Sequence, residues 1–356
     1  MAYTDIDDPT AFFQAKTYTG TGSSNAVTYD GNSDMQPDWL LFKNRQTSLN
    51  WMMWDSVRGI TKYFYSNLNE AEGSTSTVLT AIGSDGFTVG NNNNVNKANE
   101  NIGHWGWKAG TSFSNDASST SVGSIDSVGS VNTDAGFSIQ TWTGSGSAAT
   151  LAHGLGVVPK MIIVKNRTDA VNWFVYHHSA ITAGGSNKSF LTLNETGAVA
   201  ANGTATTFTS VSSTTFGVGT DNIINGDSDS MIAYLFAEKQ GYSKFGTYTG
   251  NGNADGTYVY TGFKPAFVIC KRAVGGTGNW GMNDTKRDPF NGTSHTCDAN
   301  NTEDADDVAI RMDILSSGFK LKTDSSNWNA SGSTYIFMCF ASNPYVTSSG
   351  IPTTAR

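Results

Sequence analysis

The sequence predicts an all-β protein made of three tandem antiparallel β-sandwich (jelly-roll-like) modules. Three observations carry that prediction. Charged residues are only 15% of the 356-residue chain, well below the ~25% of an ordinary soluble domain. Their place is taken by Ser, Thr, Asn and 39 Gly, mixed with aromatic residues at 12%, which is what short strands and tight turns require. Finally, one set of landmarks recurs three times in the same order. Its spacing is too long for a solenoid unit and matches a sandwich domain of ~100 residues.

Each module opens on an aromatic-Thr-Gly-x-Gly turn: Tyr18-Thr19-Gly20-Thr21-Gly22, Trp142-Thr143-Gly144-Ser145-Gly146 and Tyr248-Thr249-Gly250-Asn251-Gly252. A proline and an apolar run ending in Lys follow: Pro37 to Lys43, Pro159 to Lys165 and Pro265 to Lys271. These runs are apolar on both faces, so each is expected to be a strand covered on both sides. Proline belongs at the first residue of such a strand because it cannot donate to a ladder. Next comes Asn-Trp, at Asn50-Trp51, Asn172-Trp173 and Asn279-Trp280, whose indole is expected to span the two sheets of a sandwich. Later landmarks are Gly86-Phe87, Phe216-Gly217 and Gly318-Phe319. Each copy then closes on an aromatic strand, as in His104-Trp105-Gly106-Trp107. The prolines are 122 and then 106 residues apart and the Asn-Trp pairs 122 and 107.

These landmarks divide the chain into an N-terminal arm or anchor (1–15), module 1 (16–109), a linker (110–134), module 2 (135–240), module 3 (241–345) and a C-terminal tail (346–356). The linker is assigned by its Ser- and Gly-rich composition, although its spaced Val and Ile would suit an edge strand. The second junction is short, so modules 2 and 3 are expected to dock closely, with module 1 set apart.

Composition also excludes several classes. Disorder needs few aromatics and high charge, and helical bundles need Leu, Glu, Lys and Ala in quantity. The net charge of −8 and the absence of a Lys/Arg run argue against nucleic-acid binding. The longest apolar runs are strand length, far short of the ~20 residues of a membrane-spanning helix. The acidic start lacks the apolar stretch of a signal peptide. Cys270, Cys297 and Cys339 form no Cys-x-x-Cys pair and no stapling framework. They read as small buried thiols in a protein made in a reducing compartment, with a bridge between Cys270 and Cys339 left open.

No catalytic, cofactor or metal residue emerges. His104 lies in a closing strand, His153 on a Gly-rich turn, and His177 and His178 are adjacent. Neighbours on a strand point to opposite faces, so that pair makes a poor metal site. The carboxylates of Glu303-Asp304-Ala305-Asp306-Asp307 and of Asp227-Ser228-Asp229 could hold calcium but match no calcium loop, and solvated loops are the expectation. The Thr-Gly-x-Gly motifs lack the third glycine of a dinucleotide fingerprint and read as turns. Ligand-binding residues are expected among aromatics exposed in polar loops, which composition does not separate from core aromatics.

At these motifs the chain resembles virion structural proteins of tailed phages, especially those of marine bacteria. The segments that carry the resemblance include Gln36-Pro37-Asp38-Trp39, Asp55-Ser56-Val57-Arg58-Gly59 and Ser84-Asp85-Gly86-Phe87 in the first module. His153 to Arg167, Phe263 to Val268 and Phe340 to Tyr345 carry it in the others. The resemblance implies a non-enzymatic virion protein, made in the host cytoplasm, in a tail fibre or spike that attaches to the host surface. It also implies contacts with other virion proteins, with a host glycan as ligand and a homotrimer as the favoured assembly. The alternative role is capsid decoration or a head fibre; a polysaccharide depolymerase ranks below both.

Overall fold

The computed structural model describes residues 3–201, 205–303 and 309–353. The protein is all-β, and every strand pairing is antiparallel. Three large sheets follow one another along the chain, each with a small three-stranded sheet beside it. The core of each large sheet has the same strand order: opening, closing, central, Asn-Trp. In the first these are Phe13–Thr19, Asn101–Trp107, Trp39–Asn44 and Met52–Asp55. In the second they are Phe137–Thr143, Ser230–Phe236, Met161–Asn166 and Phe174–His177; in the third, Ser243–Thr249, Thr334–Pro344, Phe263–Val274 and Trp280–Asp284.

The central strands show why both of their faces are apolar. Along Trp39–Asn44 every residue is buried. Leu40 and Phe42 pack with Trp54, Phe87 and Val89 inside the first sheet pair. Trp39 and Leu41 point the other way, into a core shared by all three sheet pairs. Two of the prolines precede their strands, whereas Pro265 lies inside Phe263–Val274 where the register shifts, a bulge that tolerates the missing N–H.

The shared core is an aromatic hub. Trp107, Phe236 and Phe340 occupy equivalent places, registered opposite Trp39 and Met161, which open their central strands, and Phe267, which lies inside the longer third one. Ring centroids are 5.7 Å apart for Trp107 and Phe340, 6.1 Å for Phe236 and Phe340, and 5.7 Å for Trp39 and Phe236. Rings from all three sheet pairs therefore touch at one centre.

Three expectations are corrected. Residues 110–134 are not a linker: Thr111–Asn115 and Ser127–Asn132 are strands, joined by a short helix at Ala117–Thr120. They pair in sequence onto Phe137–Thr143 and extend the second large sheet to eight strands. The Ser-rich composition reflects an edge with one wet side, as Val131 is buried and Val128 is 47% exposed. Nor does module 1 sit apart, because its large sheet is packed into the common hub. The N-terminal arm is likewise tied down: Thr4 donates to the Gln240 carbonyl (2.8 Å), and residues 13–15 already belong to the first strand. Of the expected arm and tail, residues 1, 2 and 354–356 lie outside the described residues.

Candidate functional site

The repeated motifs resolve first into structural devices. In each Thr-Gly-x-Gly turn a fully buried Asn from a one-turn helix reaches into the loop: Asn96, Asn225 and Asn329. Its side-chain oxygen accepts the N–H of Thr21, Ser145 or Asn251 (2.9, 3.2 and 2.9 Å). Its amide donates to two backbone carbonyls, those of Ser23 and Gly90, Ser147 and Gly219, or Asn253 and Thr323. A Cβ at Gly20, Gly144 or Gly250 would run into the carbonyl oxygen of Lys97, Gly226 or Ala330, so this position must be glycine in every copy.

The Asn-Trp pairs are inter-module clasps. Asn50, Asn172 and Asn279 each accept an amide hydrogen bond at 2.9 Å, from Asn67, Asn194 and Asn300. The same partners accept the N–H of Trp51, Trp173 and Trp280. Contrary to the expectation from sequence, the indoles do not span their own sandwiches. Trp51 donates to the carbonyls of Asp298 and Asn301 (both 3.1 Å), Trp173 to Leu68 (3.1 Å) and Trp280 to Thr192 (2.9 Å). The first sheet pair thus grips the third, the second grips the first and the third grips the second, a closed ring. The reason is strand alternation: Trp51 shares a face with Met53, which points into the common core.

The lysines that end the apolar runs of the central strands complete the clasps. Lys43, Lys165 and Lys271 are fully buried and donate across the seams, to the carbonyls of Thr302, Asn69 and Thr196. Burial pulls Lys165 and Lys271 down to about 8. A buried ion network joins the first two sheet pairs. Asp55 binds Arg58 (2.6 Å), Glu72 binds Arg58 and Arg167 (3.1 and 2.8 Å), and Tyr234 donates to Asp55 (2.7 Å). Asp284, Arg287 and Trp105 repeat the arrangement between the first and third, with Asp284 to Arg287 at 2.5 Å and Trp105 Nε1 to Asp284 at 3.1 Å.

The candidate histidines are committed to packing. His104 hydrogen-bonds Tyr29 (2.6 Å), and burial holds it down at about 3, so it stays neutral at physiological pH. His153 accepts the Leu155 N–H (3.1 Å) and lies 3.2 Å from the Ser212 carbonyl. His177 and His178 do not point to opposite faces. The strand ends at His177, and both rings, 5.2 Å apart, meet carbonyls of the third sheet pair, Phe337 and Phe245. Asp229 accepts from Asn166 (2.8 Å), and Asp227 is exposed. Asp304, Asp306 and Asp307 lie outside the described residues. Among the described residues no group of three His, Cys, Asp or Glu is placed to hold a metal ion. Cys270, Cys297 and Cys339 are buried and free, and no helix among the described residues is long and apolar enough to cross a membrane.

With the repeated residues spent on closing the ring, the exposed aromatics stand out. On the edge strand Tyr258–Tyr260 of the third small sheet, Val259 points inward and the two tyrosines outward, 45% and 59% exposed. Tyr260 borders a cleft of about 340 Å³ whose other walls include Tyr3, Gln240 and Lys244. Gly241 and Gly262 form part of its lining, both with positive φ (78° and 84°). The Tyr3 hydroxyl donates to the Gly262 carbonyl, and Tyr345 stands edge-on to Tyr3 with centroids 6.4 Å apart. Sequence reasoning pointed to exposed aromatics without naming these; the outward-inward-outward pattern Tyr258-Val259-Tyr260 was the available signal.

No curated protein matches the chain. A match to a family described as a domain of unknown function (DUF7483) runs over residues 8–344, so a single family unit takes in all three sheet pairs of the ring. On that match the chain belongs to the DUF7483 family.

Proposed function

We propose that the protein is a non-enzymatic structural component of a tailed-phage virion, in a tail fibre or spike that contacts the host surface. The observation that carries this reading is where the chemistry-bearing side chains are spent. The lysines and tryptophans of the repeats, together with the buried Asp-Arg pairs, hold one ring closed, and the repeat asparagines lock the turns within each sheet pair. The buried histidines are held neutral, and a general base needs an accessible group titrating near the working pH. Such a body is suited to presenting a surface. The segments that resemble phage virion proteins fall on the same devices: Trp39 in the hub, Asp55 and Arg58 in the seam.

Cryo-electron microscopy of the intact particle tests the reading. Density for the protein at the tail supports it. Density spread over the capsid lattice would make it a decoration protein instead, and absence from the particle would overturn the virion role.

A further inference from the structure

We propose that the cleft lined by Tyr3 and Tyr260 binds a neutral saccharide of one or two rings. The proposal rests on the attachment reading, since it names the ligand class and the face that such a role would use. Its chemistry comes from the cleft. Tyrosine offers a flat apolar face with a polar tip, which suits the C–H face of a pyranose ring and its hydroxyls together. Tyr260, 59% exposed, and Tyr3 line the same depression, and Tyr345 backs Tyr3 from outside it, ring centroids 6.4 Å apart.

The floor is kept open by backbone. Gly241 and Gly262 carry no side chain, and a Cβ on Gly262 would fall 2.7 Å from the Tyr3 hydroxyl. Tyr3 is held in place beforehand by its bond to the Gly262 carbonyl, while the adjacent Thr4 is tied to Gln240. That pre-ordering lowers the entropic cost of binding. The rim selects against charge: Lys244 and Glu238 neutralise each other at 2.9 Å. No unpaired cation faces the opening from this pair, so an anionic sugar or a nucleic-acid phosphate gains nothing there, and the net charge of −8 disfavours both. At about 340 Å³ the cleft sits at the small end of ligand sites, which suits a ligand of one or two rings.

The test is saturation-transfer NMR of the full chain with methyl glycosides of glucose, galactose, mannose and N-acetylglucosamine at millimolar concentration. Glucuronic acid and a sulfated galactoside serve as charged controls. Binding of at least one neutral glycoside is expected, weakened tenfold or more in Tyr260→Ala, whose exposed position should leave the melting temperature unchanged. Failure of all four neutral glycosides, preference for a charged control, or binding unaltered in Tyr260→Ala would overturn the proposal. A protein partner captured through the same tyrosines, without sugar binding, would also overturn it. The cleft and the virion role fail separately: sugar binding that needs Tyr260, in a protein absent from the particle, removes the second and leaves the first.

Discussion

The hydroxyl of Tyr234 lies 2.7 Å from the carboxylate of Asp55, a contact between two residues 179 positions apart that joins the second sheet pair to the first. The same carboxylate binds the Arg58 side chain at 2.6 Å, and neither ion is exposed. Tyr234 itself is held protonated by burial and by the neighbouring Asp55 charge. A buried ion pair stays affordable only while its spare lone pairs are occupied, so the tyrosine satisfies the carboxylate rather than decorating it. Tyr234→Phe should therefore cost roughly 1.5–3 kcal/mol, the range for a hydrogen bond to a charged group. Asp55→Ala, which removes the fully buried partner of Arg58 and leaves it only Glu72, should cost about 3–5 kcal/mol. Urea unfolding checks both; an equal loss for the two variants would refute the assigned roles.

The buried Asn225 supports its loop through one accepted and two donated backbone bonds. Asn225→Ala leaves the Ser147 and Gly219 carbonyls and the Ser145 N–H without that partner. At about 1–3 kcal/mol per stranded group, the variant should lose at least about 3 kcal/mol. Asn225→Asp should fare no better, because a carboxylate cannot donate to the two carbonyls and repels them. A thermal melt in which the Asp variant matched the parent chain would remove the staple from the account.

Unfolding should be a single cooperative transition despite the three sheet pairs. The hub rings Trp107, Phe236 and Phe340 belong to all three at once, so none retains a complete core when another opens. Because the seams run from first to third to second and back to first, they are all used within one chain. We therefore expect the mass of one chain in solution rather than the homotrimer anticipated from the resemblance. Calorimetry showing three separated transitions, or light scattering giving a trimer, would contradict this picture of the ring. Trp173→Ala should lower the one transition by an amount equivalent to about 3–5 kcal/mol without splitting it.

How far the sequence reached can be judged from individual residues. The spacing of Asn50-Trp51 and its repeats was visible, but not which face each indole takes. Both faces of the neighbouring strands are apolar, and only the packed ring tells which side meets its own sandwich and which meets the next. The Ser-rich stretch 110–134 misled because edge strands with one wet side have the composition of linkers. Asn67, Asn194 and Asn300, which lock the Asn-Trp turns, gave no signal, since an isolated Asn has no pattern. Tyr260 and the buried Tyr335 are alike in composition; the alternation around Val259 separates the first, and contacts alone place the second.

Stability should peak in mildly alkaline solution, and each side of the peak has its own groups. On the acid side, burial lowers His104 and His177 to about 3, with the His178 charge adding to the effect at His177, and it also lowers His153 and His178. The unfolded chain binds those protons below about 6.5 while the folded chain refuses them, so stability is lost as pH falls from there. Two such groups give a slope approaching roughly 2–3 kcal/mol per pH unit near pH 5. Asp298, raised by burial to about 6, offsets part of that loss because its folded form takes up a proton first. On the alkaline side, Lys165 and Lys271 give up protons near 8 when folded but near 10.5 when unfolded, so stability rises as pH passes 8. The opposing groups are Cys270 and Cys297, pushed by burial to about 12, and Cys339, also raised: their unfolded thiols ionise from about 9, and stability then falls. Urea midpoints measured from pH 4 to 10 should climb from the acid side, peak at about pH 8–9 and decline beyond. Lys165→Met should flatten the rise between pH 7.5 and 8.5, and a parent chain most stable at pH 5 would refute the assignment of these groups.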